Sequence, residues 1–331
     1  MLDWAGRIED LCDHLAREHG VDDKLAVEVL LSALVPCPRT RSPWLILETN
    51  WYSRNCYGGW FSFGETWLPR SLAQIRARSP WREIEAETKE WLEDEKAERL
   101  FIEPDWERYP RFHRLTQAQF LLQRALRVRT KRNRGDHTIR ALDEQERDRR
   151  TDELAALTRA VLEDRIGSRP QNPPAFRQPP NFLYHLELLQ RLAPWYTDWD
   201  TLVALFAQLA IRRAYLYGRT ETNDEDNLAM ARVARNSVPP WIQKAVRQLS
   251  SGPSKASTLE NSMTLEEWTR RSGHGAHREL VRLRRNGLIE WSAKKMHWRL
   301  LDEHHQGVVD LIDGYPFGRE RPPVALASTG D

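Results

Sequence analysis

The chain has 331 residues, of which 40% are hydrophobic, and its formal net charge is only +2. This length allows two or three small domains with their own cores, and the charge excludes nucleic-acid affinity driven by bulk charge. Three widely spaced cysteines exclude a disulfide framework, and the absence of a C-x-x-C pair argues against a zinc site. No apolar run approaches the ~20 residues of a membrane span. We therefore expect a cytoplasmic protein that is mainly α, with no metal and no membrane partner.

Residues 1–166 are expected to form a helical N-terminal domain that contains a small aromatic β-hairpin. Two opening helices are indicated by apolar residues at helical spacing: Trp4, Ile8, Leu11 and Leu15 in the first, and Leu25, Val29 and Leu30 in the second. Trp44–Leu47 reads as a buried strand, and an aromatic hairpin follows around Gly58-Gly59. The aromatic residues either fill a core, which we favour, or stack nucleobases with Arg54 and Arg70 nearby.

The charge pattern reverses after this hairpin. Acidic residues dominate 81–107, whereas 111–134 carries basic residues without an acid. Thr116 and Gln119 predict a capping box, and the following helix buries Phe120, Leu121, Ala125 and Val128. Its basic side either contacts phosphate or is neutralised by the acidic segment, and the pattern leaves both open. The possible secondary phosphate contacts are Arg124, Arg127, Arg129, Lys131, Arg132 and Arg134.

Residues 167–181 are proline-rich and predict an extended linker between domains. A helical bundle is expected over 182–250, with a central buried helix from Asp198 to Tyr217 that ends at Gly218. Thr222 and Glu225 predict the capping box of the next helix. The last helix of the bundle begins at Pro240, whose missing N–H costs nothing at that position.

The segment from Thr264 to Leu300 predicts helix, turn, helix and hairpin. The second helix runs from about His274 to Asn286-Gly287, with Ala276, Leu280 and Leu283 inward. The hairpin over 288–300 places Met296, Trp298 and Leu300 on one face. This order resembles the winged-helix superfamily, which implies a winged-helix domain over 251–312 whose first helix is 240–250. We expect a disordered tail at 313–331.

The resemblance implies that the second helix enters the major groove of double-stranded DNA while the lysine-tipped hairpin contacts phosphate. The expected DNA-binding residues are His274, His277, Arg278, Arg282, Arg285, Lys294, Lys295 and His297. Alternatively, the same fold docks protein partners and these arginines are only solvated.

The segment Gly218–Leu249 also resembles the helical lid of bacterial AAA+ and MCM-like ATPases, a similarity that extends over Phe182–Leu300. The family implies that Arg232 or Arg235 can approach a nucleotide phosphate. However, no G-x-x-x-x-G-K-[ST] sequence is present, so we expect a chain without motor activity.

No catalytic motif is found, since G-x-S-x-G and H-E-x-x-H are absent and His113, His137 and His185 stand alone. The sequence therefore predicts a non-catalytic DNA-binding protein without a cofactor, in a regulatory or replication/defence accessory role in a bacterium or its mobile elements. The alternative is a protein-interaction adaptor that binds partners such as a separate ATPase, or a second copy of itself, through the aromatic domain and the winged helix. A third reading is a degenerate nucleotide binder.

Overall fold

Eight α-helices and six β-strands make up the part of the chain that the structure describes. It is a computed structural model that describes residues 4–18, 24–35, 37–40, 44–49, 73–76, 99–104, 125–130, 172–193, 195–255 and 274–317, with single positions at 145, 146, 149, 153 and 156. Most of these residues are helical, as the mainly α prediction expected. Among these helices, none combines the length and the apolar character needed to cross a membrane.

The N-terminal elements are two helices and four strands: α1 Trp4–Glu18, α2 Leu25–Leu34, β1 Trp44–Thr49, β2 Ala73–Arg76, β3 Arg99–Pro104 and β4 Ala125–Thr130. The helical bundle that follows contains α3 Phe182–Leu192, α4 Trp199–Leu216, α5 Asp224–Ser237 and α6 Pro240–Ser250. The C-terminal elements are α7 His274–Arg285, β5 Ile289–Ser292, β6 His297–Leu300 and α8 Asp302–Asp313.

A parallel sheet with strand order β2-β3-β1-β4 lies in the N-terminal part of the chain. The strand predicted at Trp44–Leu47 is confirmed as β1, one of the two inner strands, and Leu47 aligns with Ile102 of β3 and Val128 of β4. The helix predicted around Ala125 and Val128 is wrong, because these residues belong to β4. The four residues 125–128 are all buried, and a strand covered on both faces shows no alternation that would distinguish it from a helix. The predicted aromatic hairpin lies outside the described residues.

Buried arginine residues join the N-terminal elements to the bundle. Arg212 of α4 donates from Nε to the carbonyl of Ser32 at 2.9 Å and from Nη2 to that of Ala33 at 2.6 Å. These carbonyls lie in the last turn of α2, where backbone oxygens lack intrahelical partners and the helix dipole favours a cation. The same side chain also reaches the carbonyl of Val35. The central helix α4, which was predicted to be buried, therefore holds the C-terminus of α2.

The proline-rich segment docks on the loop between α4 and α5. The N–H of Ala175 donates to the carbonyl of Thr220 at 2.8 Å, and the N–H of Thr222 donates to the carbonyl of Ala175 at 3.0 Å. The hydroxyl of Thr222 accepts from the N–H of Arg177 at 2.9 Å. Because Thr222 is engaged in this way, the predicted Thr222–Glu225 capping box is wrong by one residue, and Asn223 caps α5.

The C-terminal segment after Asp310 is ordered further than predicted. Helix α8 continues to Asp313, and Phe317 is buried with its ring stacked on His185 at 5.1 Å between centroids. The expectation of a disordered tail from residue 313 is therefore wrong for 313–317, because an aromatic anchor after the helix packs on α3. Residues 318–331 lie outside the described part.

Candidate nucleic-acid interface

Backbone hydrogen bonds connect the β5–β6 hairpin to the segment after α6 and its first residues to the end of α7. Ser254, just after α6, exchanges two backbone hydrogen bonds with Trp298 of β6, at 2.8 and 2.9 Å. Helix α7 ends at Arg285, and Gly287 follows with a left-handed φ of 69°, as predicted for the residue pair after the helix. The N–H of Leu288 then donates to the carbonyl of Leu283 at 3.0 Å, which closes the helix and directs the chain into β5. The helix predicted to begin at Thr264 lies outside the described residues.

One face of α7 and one face of the hairpin are buried in the hydrophobic core of the described residues. Leu280 and Leu283 are buried as predicted, together with Trp298 and Leu300 of β6. Met296, which was predicted to share this face, is instead 63% exposed. It occupies the turn between the strands with a φ of 55°, so the alternation of the strand does not extend to it.

Two members of the predicted cationic row of α7 differ in exposure, since Arg282 is half-buried and Arg285 is exposed. Arg282 donates from Nη1 to the carbonyl of Arg191 and from Nη2 to that of Leu192, both at 2.9 Å. The prediction that Arg282 faces DNA is therefore wrong, because its guanidinium binds the C-terminal carbonyls of α3. Arg285 is exposed, as predicted, and so is its neighbour Arg284.

Arg284 was missed because the predicted row followed other positions along the helix. It lies seven residues after His277, a spacing that returns to the same helical face and could have identified it. The backbone of His274, His277 and Arg278 belongs to α7, while their side chains lie outside the described residues.

The turn of the hairpin carries Lys294 and Lys295, and both side chains are exposed as predicted. Among the described residues neither lysine forms an ion pair, and the same holds for Arg284 and Arg285. His297 is half-buried at the start of β6, in register with Ser292.

Two acidic residues near this surface are neutralised by arginines. Glu290 pairs with Arg299 across the hairpin, and their hydrogen bond raises the pKa of Arg299. Glu279 accepts from Nε of Arg282 at 2.8 Å. Glu279 and Glu290 are therefore each engaged by an arginine other than the exposed cations of α7 and of the turn.

The predicted secondary phosphate surface is wrong where the structure describes it. Arg127 is 0% exposed, and its guanidinium carbon lies 3.9 Å from the ring centroid of Trp195. Arg129 donates from Nη1 to the carbonyl of Val238 at 2.9 Å. Residues two apart lie on the same face of a strand, but not of a helix. Arg127 and Arg129 therefore both connect β4 to the bundle, at Trp195 and at the end of α5. Arg124, Lys131, Arg132 and Arg134 lie outside the described residues.

The two arginines that the ATPase-lid resemblance singles out lie on α5. Arg232 is exposed and Arg235 is half-buried, and both lie beside Gly314 at the end of α8.

In the part of the chain that the structure describes, no three histidine, cysteine or acidic side chains converge as a metal site would require. Neither protein-family models nor curated proteins match this chain.

Proposed function

We propose that the chain is a non-catalytic DNA-binding protein in which α7 and the β5–β6 hairpin of a winged-helix domain contact double-stranded DNA. The order of α6, the Ser254 bridge, α7 and the hairpin supports this assignment. Helix α7 would lie in the major groove, and the turn of the hairpin would lie on the phosphate backbone. Its role would be regulatory or accessory, because the sequence lacks motifs for catalysis.

The single observation that carries this function is a set of four exposed cations on adjacent elements: Arg284 and Arg285 at the end of α7, and Lys294 and Lys295 in the turn. A net charge of +2 gives no general affinity for DNA, so a local group of this kind is needed. None of the four forms an ion pair with another described residue. Each can therefore neutralise a phosphate without first breaking such a pair.

Titration of a mixed-sequence duplex at several salt concentrations tests the proposal. Four phosphate contacts predict that log K falls against log salt with a slope of about −3 to −4. Replacing Lys294 and Lys295 with glutamine should make the slope less negative by about two, since each neutralised contact removes roughly one counterion.

A matched control replaces Arg39 and Arg177 with glutamine. These arginines are also exposed, but they lie on loops near α2 and before α3. The double control removes the same net charge and should leave the salt slope unchanged. Equal slopes for the two double variants, or no binding by the folded wild-type chain, would reject the proposed interface and favour the adaptor alternative.

The adaptor alternative predicts a large exposed apolar patch. Among the described residues the large exposed hydrophobic side chains are Leu183 and Met296, which lie on α3 and in the hairpin turn. These two separate residues do not form such a patch, and the aromatic segment around 51–67 lies outside the described residues. The exposed cations of α7 and of the hairpin turn are the reason that we propose DNA binding.

A further inference from the structure

The C-terminus of α3 is bound by one side chain of α7 and by one side chain just after it. Arg282 bridges the carbonyls of Arg191 and Leu192 at 2.9 Å each, and Asn286 donates from Nδ2 to the same Arg191 carbonyl at 2.8 Å. The last carbonyls of a helix lack intrahelical partners and lie at the negative end of its dipole. A planar guanidinium with two parallel donors therefore suits this position better than any other side chain.

All three nitrogen atoms of the Arg282 guanidinium donate hydrogen bonds. Nη1 and Nη2 bind the carbonyls of α3, while Nε donates to Glu279 within α7 at 2.8 Å. The side chain is 23% exposed. A contact with phosphate would therefore require this arginine to release the end of α3.

The side chain of Arg191 extends the same junction to α8. Its Nη1 donates to Nε2 of His304 at 3.0 Å, and its Nη2 pairs with Glu187 one turn earlier in α3. Residue 191 therefore contacts α7 through its backbone carbonyl and α8 through its side chain. One turn of α3 therefore contacts both α7 and α8.

We propose that Arg282 is a positioning residue, which holds α7 in the orientation needed to bind DNA by clamping it to the C-terminus of α3. The inference rests on the proposed function and deepens it: α7 binds the duplex through its exposed end, and the bundle supplies its orientation. Without the clamp, the orientation of α7 that binds DNA is less populated. The apparent affinity then falls in proportion to the population of that orientation.

Lysine and glutamine at position 282 distinguish a clamp from a phosphate contact. Arg282→Lys keeps the charge but cannot bridge two adjacent carbonyls. We expect Arg282→Lys and Arg282→Gln to weaken duplex binding alike, by at least about tenfold, with a salt slope close to that of the wild type. At Arg285, the proposed phosphate contact, lysine should retain most of the affinity, and glutamine should lower the magnitude of the slope by about one.

Hydrogen–deuterium exchange of the full chain without DNA separates this inference from the proposed function. Arg282→Lys should speed exchange in α7 and in the last turn of α3, whereas Arg285→Lys should not. Asn286→Ala, which removes only the neutral donor to Arg191, is a milder second variant that should speed exchange in the same segments. If the wild type fails to bind duplex, the proposed function fails, and exchange alone decides on the clamp. Unchanged exchange together with full affinity in Arg282→Lys would overturn the clamp.

Discussion

Replacing Asp226 with asparagine should destabilise the protein far more than replacing Glu225 with glutamine, although the two residues are neighbours in α5. Its Oδ1 accepts from Arg213 Nη1 at 3.0 Å and from Arg219 Nη2 at 2.7 Å, while Oδ2 accepts from the Asn223 N–H at 2.9 Å. The side chain is 0% exposed. Arg213 also binds Glu28 at 3.0 Å, so this one group of charges joins α2, α4 and α5.

The magnitude follows from the burial of the charges that would remain. Burial alone lowers the pKa of Arg213, but the carboxylates of Glu28 and Asp226 outweigh this effect and raise it. Because an arginine side chain is not deprotonated in proteins, a neutral amide faces two charged guanidinium groups in the variant. Removing one partner of a buried ion pair typically costs about 3–5 kcal/mol, and we expect a loss of that size.

Urea unfolding followed by circular dichroism measures this loss of free energy. Glu225→Gln is the matched control, because Glu225 undergoes the same chemical change in the same turn of α5. Its side chain is 68% exposed and lies 3.8 Å from Arg213, so we expect a loss below about 1 kcal/mol. If Asp226→Asn also cost less than about 1 kcal/mol with an unchanged m-value, the buried network would not stabilise the fold as argued.

Two further predictions concern α8 and α3. Gly307→Ala should destabilise by about 1–3 kcal/mol in thermal unfolding, because a Cβ there would lie 2.7 Å from both Leu188 and Tyr184. Burial lowers the pKa of His185, so its neutral form is favoured by folding and stability is lost as pH falls below the unfolded pKa of about 6.5. His185→Gln should make the fall in unfolding free energy between pH 7 and 5 shallower, and an unchanged slope would contradict this.

The bundle could be predicted because its signals are local. Asp198 caps α4 by accepting from two backbone N–H groups, and Gly218 ends the helix with a φ of 77°. Between them the sequence is apolar nearly all round, which is typical of a helix surrounded by others. The cap of α5 shows the limit of such signals: Thr222 and Asn223 both suit the position, and the bridge to Ala175 decides between them.

The parallel sheet could not be predicted, because its partners are distant in sequence. Strand β4 pairs with β1 about eighty residues earlier, and this pairing leaves no local pattern beyond a short apolar run. An arginine within that run, Arg127, suggested an exposed helix face. Its cost of burial is offset by contacts such as the ring of Trp195, which is distant in sequence.

The engaged arginines explain why a count of basic residues overstates the charge that is exposed on the surface. Arg127, Arg212, Arg213 and Arg282 are directed at a ring, at carbonyls or at buried carboxylates. Sequence spacing places Arg282 and Arg285 in one row, yet of these two only Arg285 is exposed. The salt slope of duplex binding should therefore reflect the exposed end of α7 and the hairpin turn. A slope well beyond about −4 would require basic residues in addition to Arg284, Arg285, Lys294 and Lys295, because each neutralised phosphate releases about one counterion.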